Sequence, residues 1–140
     1  MTFISDAGMK TVLVVEDNPG VRKLVQLALE GGGFNVLAAA SAKEAMLTEV
    51  GFSGRIHLLL SEVLMPDMMG PDLAAAMKER RPEMRVMLMS HYPDGRILLL
   101  NYGWYFIEKL ALSSALPARV KALLSSSTFD QGTDRFDTRS

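Results

Sequence analysis

Short unbroken apolar runs alternate along the chain with longer stretches in which apolar residues recur at helical spacing. Lys10–Val15 (KTVLVV) is apolar and β-branched, as expected of a strand buried on both faces, and it stops at Glu16-Asp17. Val21, Leu24, Val25, Ala28 and Leu29 then fall at i, i+3, i+4, i+7 and i+8, which predicts one apolar helix face. Asn18 suits the N-cap of that helix, Pro19 its first position, and Gly31-Gly32-Gly33 its stop. Phe34–Ala38 predicts a short second strand. Ser41-Ala42-Lys43-Glu44 matches a capping box and opens a helix that turns Ala45 and Met46 inward, until Gly51–Gly54 breaks it.

The centre of the pattern is His57–Gly70, HLLLSEVLMPDMMG: a leucine run, a polar pair Ser61-Glu62, then a turn from Pro66 to Gly70. Pro71 opens a third helix with Leu73, Ala76 and Met77 on one face, and Arg81-Pro82 ends it. Val86–Met89 predicts a fourth strand closed by Ser90. Asp94–Tyr102 (DGRILLLNY) has no clean period and reads as either a short helix or an irregular turn. Trp104–Ile107 predicts a fifth strand running out at Glu108-Lys109. Ser113 or Ser114 can cap a last helix, in which Leu116, Val120, Leu123 and Leu124 repeat at helical spacing.

Strands alternating with helices in this way imply right-handed crossovers and a parallel sheet covered on both faces. The carboxyl ends of such strands share one edge, which is where ligands bind in open α/β sheets. Four polar clusters fall there: Glu16-Asp17, Ser61-Glu62, Ser90 and Lys109. Three carboxylates on one rim repel unless a cation sits among them. Magnesium suits such a site, since it takes oxygen ligands, keeps several waters and often joins one or two carboxylates to a phosphate. Lys109 brings an ammonium and Ser90 a hydroxyl, both fitted to phosphoryl oxygens.

Composition narrows the class further. At 140 residues the chain is long enough for one domain with a real core. The expected division is a flexible leader over 1–8, a folded domain over 9–124 and a disordered, polar tail over 125–140. Sixteen acidic and fifteen basic residues leave a net charge of -1, so nothing favours nucleic acid. Cysteine is absent, which removes disulfides, thiolate metal sites and thiol nucleophiles. No apolar run approaches a membrane span of about 18 residues, and no signal-peptide pattern opens the chain. A soluble cytoplasmic α/β domain is expected. His57 and His91 have no companions at metal-ligand spacing, and His57 belongs at a strand entrance. The ten methionines are mainly core filler, although Met65, Met68 and Met69 flank the candidate site.

The Glu16-Asp17 pair after a strand, the EVLMPDMMG segment, MLMS ending at Ser90 and FIEK ending at Lys109 together resemble the receiver domain of two-component response regulators. The resemblance runs from about Met9 to Leu124, with the motifs in order. It implies a flavodoxin-like doubly wound five-stranded parallel sheet of order 2-1-3-4-5. In receivers an aspartate at the end of the third strand accepts phosphate from a partner's phosphohistidine, and two acidic residues after the first strand help bind magnesium. The resemblance therefore implies Glu16, Asp17, Glu62 and the backbone carbonyl of Leu64 as metal ligands. It also implies Ser90 and Lys109 as phosphoryl contacts and Phe106 as the switching aromatic.

The chain departs from the family at the acceptor position, which holds Glu62 in place of aspartate. The extra methylene moves the carboxylate outward by about one bond length, a scale on which placement decides phosphoryl transfer. It also fixes a negative charge where phosphoaspartate would stand. Leu110 replaces the proline usual after the lysine, and the stretch between Ser90 and Lys109 is a few residues short. The expectation is a stand-alone pseudo-receiver acting through protein contacts, not phosphorylated in the usual way, with Lys109 neutralising Glu62. It is not expected to be an enzyme.

Two alternatives stay open. One is a phosphorylatable receiver that tolerates Glu62 or uses Asp67 as a surrogate acceptor. The other is a magnesium-dependent phosphotransferase or phosphatase, which needs a second catalytic aspartate or histidine that the pattern does not supply. The expected partner is a histidine kinase or another signalling protein. The resemblance places Ile97 to Phe106 on the face used for dimerisation and output. Its leucines and aromatics, where exposed, would mark an interface there, with the last helix, for a homodimer or for a partner helix.

Overall fold

The computed structural model describes residues 8–90, 105–108 and 115–125. Its strands are β1 (Thr11–Val15), β2 (Asn35–Ala39), β3 (Leu58–Glu62), β4 (Arg85–Ser90) and β5 (Tyr105–Glu108). Its described helices are α1 (Pro19–Gly31), α2 (Ala42–Gly51), α3 (Gly70–Arg80) and α4 (Leu116–Ser125). The strands form one sheet in the order β2-β1-β3-β4-β5, every pair parallel.

Strand residues alternate between two cores. Val12, Val14, Leu58, Leu60, Met87, Met89 and Ile107 pack with Val25 and Leu29 of α1 and Leu116, Val120 and Leu123 of α4. Their neighbours Leu13, Val15, Leu59, Val86 and Leu88 pack with Ala42 and Ala45 of α2 and Leu73, Ala74 and Met77 of α3. Both faces of the inner strands are therefore covered, which explains why their sequences are unbroken apolar runs. The winding reverses between β1 and β3, so a crevice opens beyond the ends of those two strands.

Local chemistry fixes the ends of α1 and α2 as the sequence predicts. Asn18 accepts the Val21 N–H at 3.0 Å to start α1, and Ser41 accepts the Glu44 N–H at 3.1 Å to start α2. The capping box is completed by Glu44, which accepts the Ala40 N–H at 2.7 Å. Gly33, at φ 95°, supplies the left-handed turn after α1.

Several expected faces shift. Leu24 is 50% exposed, because the buried stripe of α1 centres on Val25 and Leu29 and Leu24 sits about 100° round the helix from Val25. In α3 the buried stripe is Gly70, Leu73, Ala74 and Met77, so Ala74 takes the place expected for Ala76, which is half-buried. Ser125 belongs to α4, its Oγ donating to the Lys121 carbonyl at 2.7 Å, so any tail starts after it. The Asp94–Tyr102 segment, the Ser113 or Ser114 cap, His91, Trp104, Leu110, leader residues 1–7 and tail residues 126–140 lie outside the described residues.

Helix α2 carries an inversion that the hydrophobic pattern did not show. Leu47 and Val50 face solvent, while Glu49 is buried. Its carboxylate bridges α2 to the end of α3: Arg80 reaches Oε1 at 2.7 Å and Arg81 Nε reaches Oε2 at 2.9 Å. Arg81 also donates to the carbonyls of Glu49, Phe52 and Gly54 at 3.1, 2.7 and 2.8 Å, satisfying the open end of α2.

Candidate functional site

The register of the central strands brings the acidic residues level. Val15 pairs with Ser61, so Glu16 and Glu62 follow side by side at the ends of β1 and β3. Glu62 pairs with Met89, which sets Ser90 one residue further along β4. Crevice and carboxylates therefore coincide.

Glu16 is fully buried. Its N–H donates to the Ala39 carbonyl at 3.1 Å, and its own carbonyl accepts from Arg22 Nη1 at 2.8 Å. Its Oε2 accepts the Asn18 N–H at 3.0 Å, so the loop that caps α1 also holds this carboxylate. Asp17, one residue on, is exposed. The pair presents one fixed and one free carboxylate at the mouth of the crevice.

Glu62 is 5% exposed. Its Oε2 accepts the N–H of Leu64 at 3.2 Å, two residues along its own chain. Ser61 Oγ donates to the Glu62 carbonyl at 2.9 Å. The loop that follows is tied at both ends: Val63 N–H donates to the Met89 carbonyl at 3.0 Å and Gly70 N–H to the Val63 carbonyl at 2.7 Å. Gly70 lies directly against the Glu62 carbonyl, so a Cβ there would collide with it. Ser90 is buried, and Leu64, whose carbonyl the resemblance assigns to a metal, is 47% exposed. Of the flanking methionines, Met65 is buried, Met68 packs on the core and Met69 is partly exposed.

Asp67 is committed elsewhere. Its Oδ1 accepts the Ala42 N–H at 3.2 Å and its Oδ2 the Lys43 N–H at 2.9 Å. It thus caps the first turn of α2 from across the β3–α3 loop, joining Ser41 in that task. The Lys43 N–H, and then that of Ala42, hold its carboxyl below the usual range. No sequence signal joined Asp67 to α2, because the contact spans 25 residues.

Lys109 lies outside the described residues, as does most of the Ile97–Phe106 segment expected at a dimer face. Phe106 stands in β5, its backbone paired with Leu88. The oxygen donors Glu16, Asp17 and the Leu64 carbonyl have the chemistry that magnesium prefers. Among the described residues no three acidic, histidine or cysteine side chains converge on a metal position.

A five-stranded doubly wound sheet with an acidic crevice at its switch point defines a class of α/β signalling and ligand-binding domains. The chain belongs to the response regulator receiver domain family, whose model matches residues 12–120. It is 36% identical over 87 residues to the response regulator receiver protein CpdR of Brucella abortus, covering 60% of this chain and 68% of that one. It is 31% identical over 121 residues to the sensor kinase CckA of the same organism, covering 84% of this chain but only 13% of the kinase. Among solved structures, the receiver domain of the hybrid histidine kinase CckA matches at TM-score 0.69 and 32% identity, over 81% of this chain and 98% of that one. A CheY-like receiver from Methanospirillum hungatei matches at TM-score 0.75 and 25% identity, over 86% and 98%. Receiver domains are signalling modules that interact with histidine kinases and other signalling proteins. No helix among the described residues is long and apolar enough to cross a membrane.

Proposed function

We propose that this receiver domain signals through protein contacts without the usual aspartyl phosphorylation. The observation that carries this reading is Glu62: a buried glutamate at the end of β3 whose carboxylate is turned onto the Leu64 N–H. An acceptor must present an oxygen in line with an incoming phosphorus atom, and a displacement of about 1 Å is enough to cost two orders of magnitude in rate. The lengthened side chain moves its oxygens by about that much. The same carboxylate places a standing negative charge at the head of the β3–α3 loop, so one signalling state is held without a phosphoryl group. Asp67 is a poor substitute acceptor, since both of its oxygens cap α2.

Magnesium, where bound, would be held by Glu16, Asp17, Glu62 and the Leu64 carbonyl and would supply positive charge toward phosphoryl oxygens. The partner is a histidine kinase or another signalling protein, met by the face around this rim.

Acetyl phosphate with magnesium, followed by intact-mass spectrometry, tests the reading on the wild type and on Glu62→Asp. In the variant the aspartate oxygen attacks phosphorus and acetate leaves, so one phosphoryl group is gained. The wild type is expected to stay unmodified. A phosphorylated wild type refutes the proposal, and peptide mapping would then separate Glu62 from Asp67.

A further inference from the structure

The edge of the sheet opposite the acidic rim carries a second concave site. A cleft of about 330 Å³ opens where β1, β2 and β3 begin. Lys10, Arg55 and His57 line it together with Thr11, Asn35 and the ring of Phe52. Among the described residues no acidic side chain lines it. Arg55 does meet Glu83, but at 3.7 Å between side chains 63% and 83% exposed, a pairing that holds Arg55 only weakly.

The polar floor is ordered. Asn35 Nδ2 donates to Thr11 Oγ1 at 3.1 Å, and the Thr11 N–H donates to His57 Nδ1 at 2.9 Å. A neutral imidazole that accepts at Nδ1 carries its proton on Nε2, so His57 keeps a donor for a ligand. Burial, then the charges of Arg55 and Lys10, push the His57 pKa below its ordinary value. Two exposed cations, an imidazole N–H and an aromatic residue line a volume at the lower end of small-molecule sites, which start at about 300 Å³.

We propose that this cleft binds a small organic anion, a phosphomonoester or carboxylate, through Lys10, Arg55 and His57 Nε2, with its apolar part against Phe52. The site is remote from Glu62, so it stands whether or not the pseudo-receiver reading does. A bound anion would tie the first residues of β1 to the segment entering β3, the two strands that carry Glu16 and Glu62 at their far ends.

Two-dimensional amide NMR on the full chain at low salt tests this, with phenyl phosphate, benzoate and neutral phenol as probes. Saturable shifts at Thr11, Asn35 and His57 are expected with one or both anions, and none with phenol. Arg55→Ala and Lys10→Ala, both exposed and outside the core, are each expected to weaken binding by about ten-fold, as losing a charge-assisted contact does. The tighter of the two anions identifies the class of ligand. Absence of saturation, equal binding of phenol, or unchanged affinity in both variants overturns the proposal.

Discussion

Arg80 and Arg81 are adjacent in sequence and both contact Glu49, yet their removal should have unequal effects. Arg81 is 19% exposed in its side chain and meets a carboxylate that is 5% exposed. Arg81→Ala deletes that contact together with the three carbonyl contacts at the end of α2. Breaking a fully buried charge pair costs about 3–5 kcal/mol. Arg80 remains to pair with the buried carboxylate, so we expect about 2–4 kcal/mol for Arg81→Ala, somewhat below the cost of leaving a buried charge with no partner. Arg80 is 45% exposed and bonds only the carboxylate, so Arg80→Ala should cost about 0.5–1 kcal/mol.

Urea unfolding reads the difference. With a slope of about 1–3 kcal/mol per M, Arg81→Ala should lower the midpoint by about 1–2 M and Arg80→Ala by a few tenths. Acid adds an independent readout. Burial by itself raises the Glu49 pKa, but hydrogen bonds from Arg80 and Arg81 outweigh it, and the net shift is below 4.5. A carboxyl with a lowered folded pKa contributes stability above its unfolded pKa and loses it as pH falls through the folded value. The wild type should therefore keep this contribution at pH 6 and lose it below 4.5. Arg81→Ala should lose it at a higher pH, because burial persists while one partner is gone. Equal midpoints for the two variants, or a cost below about 1 kcal/mol for Arg81→Ala, would refute the assignment of Arg81 as the buried clasp.

Three further outcomes follow from single contacts. Gly70→Ala drives a Cβ into the Glu62 carbonyl and to 3.2 Å from Leu88 Cδ2, so urea unfolding should show a loss of about 1–3 kcal/mol, and a neutral result would mean that the loop yields freely. His57 must be neutral to accept the Thr11 N–H, and its folded pKa lies below 6.5, so its contribution is complete above pH 6.5 and falls away below it. A His57→Leu variant should lose that slope in stability against pH, and an unchanged slope would exclude His57 as its source. Asp67→Ala removes the acceptor for two amides of α2, so hydrogen exchange at Ala42 and Lys43 should accelerate selectively, and unchanged protection there would sink the capping role.

Much of this architecture was legible because the governing forces are local or periodic. Runs such as VLVV and LLL, short and bounded by turn residues, fit strands covered on both faces, and Asn18, Ser41 and the Gly31–Gly33 stop act within one helical turn of their own positions. Parallel crossovers then place all strand ends together, which is why sequence order alone puts Glu16, Glu62 and Ser90 on one rim. Leu24 and Ala76 were misplaced for a narrower reason. An apolar residue at an allowed spacing can sit at the border of a stripe, and spacing alone does not say where the stripe is centred.

The features that escaped are those whose partners are distant in the chain. Glu49 carries no signal of its own in the hydrophobic pattern, and its meaning depends on arginines 31 and 32 residues away. Asp67 looked like a spare acceptor because the loop holding it offers no hint of α2, yet the geometry makes it a strut between the two. That strut changes what Glu62 can control. A carboxylate at the end of β3 holds the Leu64 N–H, Leu64 leads within three residues to Asp67, and Asp67 holds the start of α2. A change in charge at position 62 therefore has a covalent and hydrogen-bonded route to the helix that exposes Leu47 and Val50. Comparing amide exchange in α2 between wild type and Glu62→Gln measures that route directly. Faster exchange confined to Ala42 and Lys43 is the expected result, and an unchanged α2 would show that the loop does not carry the state of Glu62 to it.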